Sequence, residues 1–456
     1  MTNNQETTRL PLFLKASWGV GGLGGTSMLY LINMFVVYFL VRHVGISAAI
    51  AGLLFAITRI YDAVIDPLIG NLSDRSDTRW GRRRPWMLAG AILATAACVA
   101  VFHPPESEPG PLLYGYILLA LFAYTTGYSL FAIPYMAQGA EMTDNYQERA
   151  SLMAWRTFFV YGSGMLTVSG AAWLVARLGS DRAAYGEMSL VAAVVIGVTM
   201  LWVVAFTGRA ATAMGAAGKP PLISSLLGTL RNKPFLIMLG TKILGQLGTA
   251  FSGASMLFYI TYVMHRDETA IAVLSLTANL VGICSVPLWN RLLRNIERRT
   301  LLLVLLTASV FVHLSWMLGG PDESQVVFVG RAFVLGALGS GSVLLAMAML
   351  ADTIELDRIR SGEKREGAFV GTFELMQTTA FIVAPLIAGF AFSLAGLESG
   401  EVGRADQPES AVMMIRLLMG VAPAVCVALG AALLTFYRLD SARLTELRSQ
   451  AAAASG

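Results

Sequence analysis

The sequence predicts an all-α membrane protein, twelve transmembrane helices arranged as two six-helix bundles, and three observations carry that reading. Apolar runs of about 20 residues, enough to cross about 30 Å of hydrocarbon, recur from end to end with only short polar breaks. Of the 456 residues, 55% are hydrophobic and 14% charged, which is too apolar for a soluble protein of this length and leaves no stretch for a separate soluble domain. Most of the 33 lysines and arginines fall in breaks on one side of the predicted membrane, whereas only Arg42, Arg177, Arg182, Arg266 and Arg404 fall on the other.

The helices of the first half are expected at about 12–41, 48–72, 86–103, 112–138, 147–177 and 188–207, each starting and stopping where polarity returns. The polar opening Met1 to Leu10 precedes an apolar run that is too long for a signal peptide and lacks a small-residue cleavage site, so the first helix is expected to stay. The break after the second helix carries Arg75, Arg79 and Arg82 to Arg84, and the break after the fourth carries Arg149. Gly208 to Lys233, rich in Gly, Ala and Pro, reads as an inter-domain linker, giving a bundle over 1–207, a linker over 208–233 and a bundle over 234–456. The second half places helices at about 234–262, 270–290, 300–318, 326–350, 367–395 and 410–437, with basic breaks at Arg291 to Arg299 and Arg358 to Arg365. Twelve is even, so both termini share a side, and the basic bias puts that side in the cytoplasm.

The net charge of +4 follows from this topology and does not imply nucleic-acid binding. Cys98, Cys284 and Cys426 lie inside apolar runs without metal-ligand spacing and read as small core residues. Phosphate loops, metal-spaced clusters and a nucleophile with a nearby His are absent from the sequence, so no enzyme and no cofactor are expected. His43, His103, His265 and His313 are too scattered for a proton relay. A weak repeat links Ala-Glu-Met-Thr-Asp before Glu148-Arg149 with Ala-Asp-Thr-Ile-Glu before Arg365-Glu366, and repeated halves around a central cavity are the architecture of major facilitator carriers.

The sharpest chemistry lies in the second helix, where Arg59, Asp62 and Asp66 are spaced by three and four residues and share one face. A charge in hydrocarbon is costly unless paired or hydrated. Two carboxylates one turn apart repel, so they share a proton, receive a cation or are neutralised by Arg59 in a static ion pair. Hard oxygen ligands suit Na+ or H+, and the His and Cys that transition metals want are missing nearby. Pro287 occupies in the second half the place of Pro67, and there Arg59, Asp62 and Asp66 become Asn279, Gly282 and Val286. The fold therefore has no need of the acids, which points to coupling. Asp74, Arg75, Arg82 and Arg149 are candidates for a cytoplasmic gate as well as for topological anchors.

Asp62-Ala-x-x-Asp66-Pro67, Trp80-Gly-Arg-Arg-Arg-Pro-Trp86, Tyr128-Ser-Leu-Phe-Ala-Ile-Pro134, Glu148-Arg149 with Arg156, and Leu350-Ala-Asp352 with Arg365-Glu366 together resemble the glycoside-pentoside-hexuronide:cation symporter family, over helices 1 to 11. The resemblance implies a cation site at Asp62 and Asp66, with Ser129 in place of the family's helix 4 Thr. Ile65 stands where the family has an Asn ligand, which favours H+ over Na+. Arg156 matches the family's helix 5 Arg and, with Arg59, would balance the acids. The sugar-contacting positions depart: Thr26 replaces a helix 1 Asp, Ala132 and Met136 replace a helix 4 Asp and Trp, and Thr378 replaces a helix 11 Lys.

Trp18, Asn33, Tyr124, Tyr128, Trp155 and Arg156 in the first half, with Lys242, Gln246, Glu374 and Gln377 in the second, are the polar and aromatic groups left to line a solute cavity. Three readings follow. The first is Na+- or H+-coupled symport of a sugar-like or glycoside solute by alternating access. The second is symport of a lysolipid or other amphiphile, as in distantly related animal carriers, and the third is a proton-coupled exporter. The expected partners are a small solute and the bilayer of a bacterial-type inner membrane, with the chain working as a monomer.

Overall fold

The computed structural model describes residues 10–143, 145–208, 229, 232–361, 366–400 and 407–439; the side chains at 146, 360, 366, 367 and 374–378 lie outside that description. Twelve long helices run through the described residues: α1 Leu12–Arg42, α2 Ala48–Arg75, α3 Arg84–Phe102, α4 Pro111–Glu141, α5 Gln147–Leu178, α6 Arg182–Phe206, α7 Lys233–Tyr262, α8 Thr269–Leu292, α9 Arg298–Leu318, α10 Gln325–Ser361, α11 Glu366–Leu394 and α12 Glu409–Leu434. Eleven are long and apolar enough to span a membrane, and α11 adds the shorter apolar stretch Thr379–Leu394.

Local chemistry sets the boundaries. Ser47, Asn145, Asp181 and Asn232 cap α2, α5, α6 and α7 by accepting from first-turn amides. The Asp181 cap, 2.8 Å from Ala184 N, starts α6 at Arg182, ahead of the expected 188. At the other extreme α10 continues past the expected 350 to Ser361, because polarity ends a membrane span without ending a helix. Helices α1, α5 and α12 each contain one π-helical turn, at Ile32–Val36, Gly164–Ser169 and Leu417–Val421.

The chain divides into two compact units. The first contains α1 to α6 and also Asp267–Ser275 and 398–400. Those short segments dock on the end of the unit where α1 finishes and α6 begins. Gly400 N donates to Val41 O at 2.9 Å, and Ser399 Oγ donates to Gly45 O at 3.0 Å. Glu268, only 4% exposed, accepts from Ser180 Oγ and from Tyr185 OH. The expected linker 208–233 falls almost entirely outside the described residues.

Within the first unit the helices approach closely at glycines. A Cβ on Gly22 would stand 2.9 Å from Arg156 O, and one on Gly127 would stand 2.5 Å from Ala94 N, so α1 meets α5 and α3 meets α4 backbone to backbone. The second unit packs Phe235, Trp289, Leu305, Leu345 and Phe369 into one core. Toward the α9–α10 connection, Arg331 pairs with Glu323 at 2.7 Å and lies 4.7 Å over the Trp316 ring.

Both units repeat one device where α3 and α9 begin. Arg83 pairs with Glu141 at the end of α4, and Arg298 pairs with Asp352 in α10. The next residue in each case, Arg84 or Arg299, donates to a carbonyl at the end of the last helix of its unit, Val204 O or Thr435 O.

Candidate functional site

Spacings of three and four residues put Arg59, Asp62 and Asp66 on one face of α2, and α2 turns that face toward α1 and α4. Arg59 Nη1 stands 3.6 Å from Asp62 Oδ2, with both side chains buried. Arg59 Nη2 donates to Asn33 Oδ1 at 2.8 Å, and the guanidinium lies 5.1 Å over the Phe55 ring. Ser129 Oγ of α4 donates to the other Asp62 oxygen at 3.2 Å. Asp66 is half-buried, and its Oδ1 has no hydrogen-bond partner. Next to this cluster Tyr61 fastens α2 to α4, its OH 2.8 Å from Thr126 Oγ1 and its ring stacked 4.3 Å from Phe122.

With one guanidinium and two carboxylates ionised, the cluster carries one net negative charge, and the unsatisfied oxygen of Asp66 is where it is least compensated. Such an acceptor in low dielectric suits a single monovalent cation or a proton. The structure brings Arg59, Asp62 and Ser129 into contact, with Asp66 one turn further along α2. Arg156 is half-buried on α5 with its Nε lacking a hydrogen-bond partner, near Tyr135 and Tyr128.

The expected solute residues separate into two groups. Tyr128, Thr26 and Ala132 are half-buried in the first unit and Met136 is 38% exposed. Lys242 Nζ lies 5.2 Å over the Phe373 ring in the second unit. Trp18 is corrected: it is fully buried, its ring stacked 4.7 Å from Tyr135 and its Nε1 donating to Tyr135 O, so it supports α4 from behind and offers no face to a solute. Glu374, Gln377 and Thr378 lie outside the described residues.

The candidate gate residues take different partners. Asp74 pairs with Arg83, whereas Arg75 is exposed. Arg83 and Arg82 both reach Glu141 Oε1 at 2.7 Å. Arg149 donates to the carbonyls of Ala140, at the end of α4, and Thr143, just beyond it. Burial opposes the charge on Arg83, but hydrogen bonds and attraction from Glu141 and Asp74 outweigh it and hold the guanidinium above its ordinary pKa. Sequence reasoning missed Glu141 because it ends an apolar helix with no regular spacing to Arg83. It also missed the buried Lys15 to Glu148 pair at 2.8 Å, whose only sequence signal is a lone Lys inside the first apolar run.

The family model described as MFS/sugar transport protein matches residues 17–441. Among similar proteins, the putative glycoside/cation symporter YagG of Escherichia coli is 28% identical over 94% of this chain and 93% of its own length. The isoprimeverose transporter of Lactiplantibacillus pentosus is 28% identical over 90% of this chain and 85% of its own. The glucuronide carrier protein homolog of Escherichia coli is 26% identical over 91% and 90%. The crystal structure of nucleoside transporter NupG superposes with a TM-score of 0.62 over 93% of this chain and 100% of that one at 13% identity, a likeness of fold.

Proposed function

This chain belongs to the MFS/sugar transport protein family and is a membrane carrier, not an enzyme, and on that premise we propose that it moves a sugar or glycoside by cation-coupled symport, with Asp66 taking the coupling ion beside Asp62. The observation that supports the site is the uneven compensation of the two acids: Asp62 holds Arg59 and Ser129, while Asp66 keeps an oxygen with no hydrogen-bond partner. The relatives' names, a glycoside/cation symporter, an isoprimeverose transporter and a glucuronide carrier homolog, support a sugar-derived solute. The coupling ion in this reading is H+. Sodium needs several oxygens around it, and Ile65 contributes none. The basic bias of the breaks supports a bacterial inner-membrane location with both termini in the cytoplasm.

Reconstitution tests this reading. Proteoliposomes would be given either a pH gradient or a Na+ gradient and offered labelled pentosides, hexosides, hexuronides and a lysolipid. Accumulation of a glycoside driven by the pH gradient is the expected result. Accumulation driven by Na+ alone would overturn the choice of ion, and accumulation of the lysolipid alone would overturn the solute class.

A further inference from the structure

Asn33 sits inside the π-helical turn of α1. A π turn inserts an extra residue per turn and rotates the side chains that follow, a distortion found mostly where function requires it. Here it brings Asn33 Oδ1 to 2.8 Å from Arg59 Nη2, while Nη1 of the same guanidinium remains 3.6 Å from Asp62. A charge-assisted pair free to close would settle at about 2.7–2.9 Å. Arg59 is thus shared between an amide on α1 and a carboxylate on α2, and the ion pair is held open.

We propose that Asn33 is a positioning residue for cation coupling: by holding Arg59 back from Asp62 it sets how much of the cluster's negative charge is left for the incoming ion. The inference rests on the coupling reading above. The groups that face Arg59 are Asp62 on its own helix and Tyr124 and Tyr128 on α4, with Asp66 one turn on and Arg156 of α5 beyond Tyr128. Tyr124 is engaged with Met28 O at 2.8 Å, so Asn33 and Asp62 are the two groups that compete for the guanidinium.

Opposite shifts follow from opposite substitutions. In Asn33→Leu the guanidinium loses its acceptor and closes on Asp62; a shortening from 3.6 Å to about 2.8 Å at an effective dielectric of about 20 tightens that pair about tenfold, which bounds the weakening of the site for a cation. In Asn33→Asp the new carboxylate draws Arg59 away and adds a negative charge, so the site binds a cation more tightly. Asn33→Gln keeps the amide oxygen and restores a value near that of the wild type.

The test uses the purified full-length carrier with Na+ and H+ themselves as probes. Thermal stability is followed against NaCl at fixed pH, and against pH without Na+. Cation-dependent stabilisation of the wild type is the baseline, and its absence defeats the coupling reading itself. Given that baseline, the expected result is a midpoint higher in cation by up to about tenfold for Asn33→Leu, equal to up to about one pH unit lower for H+, and a midpoint moved the other way for Asn33→Asp. Midpoints that stay put, or that move in one direction for both variants, overturn the role of Asn33. Asn33→Ala removes the same acceptor without adding bulk or charge and is expected to move the midpoint as Asn33→Leu does, so the inference is decided even where Asn33→Leu fails to fold.

Discussion

Asp66→Asn isolates the charge that drives transport. The substitution preserves the shape of the side chain and breaks no hydrogen bond at Oδ1, which has no partner to lose. It removes one negative charge from a cluster in which Arg59 already offsets Asp62. The remaining pair is neutral, so a cation no longer gains by entering. With one positive charge carried per solute, a potential of 100 mV contributes about 2.3 kcal/mol, which corresponds to about 50-fold accumulation. Asp66→Asn is expected to reduce that ratio to about one while solute exchange between the two sides continues, because the solute residues are untouched. The assay is uptake into proteoliposomes under an imposed potassium-diffusion potential, read beside exchange at zero potential. Accumulation by the variant at anything near 50-fold would refute the assignment. Asp62→Asn serves as the contrast: it keeps an acceptor oxygen for Ser129 but removes the carboxylate charge beside the buried Arg59 guanidinium, so it is expected to cost about 3–5 kcal/mol of stability as well as coupling.

Ser129→Ala leaves Asp62 Oδ1 without its donor and is expected to cost about 1.5–3 kcal/mol in whichever state keeps the carboxylate ionised, seen as a shift in the cation midpoint with little change in solute KM. Trp18→Ala is expected to lower stability by about 3–5 kcal/mol and to leave solute affinity unchanged, because that ring packs on Tyr135; a change in affinity at unchanged melting temperature would restore Trp18 to the solute site. Gly139→Ala would put a Cβ 2.0 Å from Trp18 Cζ2 and should cost about 1–3 kcal/mol by thermal unfolding. Glu268→Gln weakens the acceptor for Ser180 and Tyr185, and its expected loss of about 1–2 kcal/mol should be shared by Tyr185→Phe.

Helix positions were legible because a bilayer imposes one length and one polarity on every span, and the α2 cluster was legible because a charge in hydrocarbon is rare enough to demand a reason. What remained hidden depended on rotation and on contacts across the sequence. Trp18 looked like a cavity aromatic because amphipathic rings line sugar sites, yet nothing in its neighbours' spacing tells that α1 turns it toward Tyr135 and against Gly139. Asn33 was visible as a polar group in an apolar run, but its approach to Arg59 depends on a π turn that no periodicity announces. The pairing of Asp74 with Arg83 was missed for another reason. Five arginines crowd Arg75 to Arg84, and sequence distance alone favours the adjacent one, while the start of α3 delivers Arg83.

The second unit supplies a built-in comparison for what the first unit's charges are for. Where α2 meets α4 through Asp62 and Ser129, the matching helices α8 and α10 meet through Ser285 and Ser340, whose hydroxyls lie 2.7 Å apart, and through Gly336 set tightly against Ala278. Together with the bond from Trp289 Nε1 to Ala337 O at 3.0 Å, neutral hydrogen bonds and a close backbone approach join this pair of helices. The first unit instead uses three ionised groups, each expensive to bury, and arranges them so that their charges do not cancel. Both units nevertheless keep the same arginine device where α3 and α9 begin, Arg83 with Glu141 and Arg298 with Asp352, as expected of a feature that serves the fold. A structural requirement would repeat with the helices, as that device does. The Arg59, Asp62 and Asp66 cluster does not repeat, so its cost in stability is set against a task that only one half of the carrier performs.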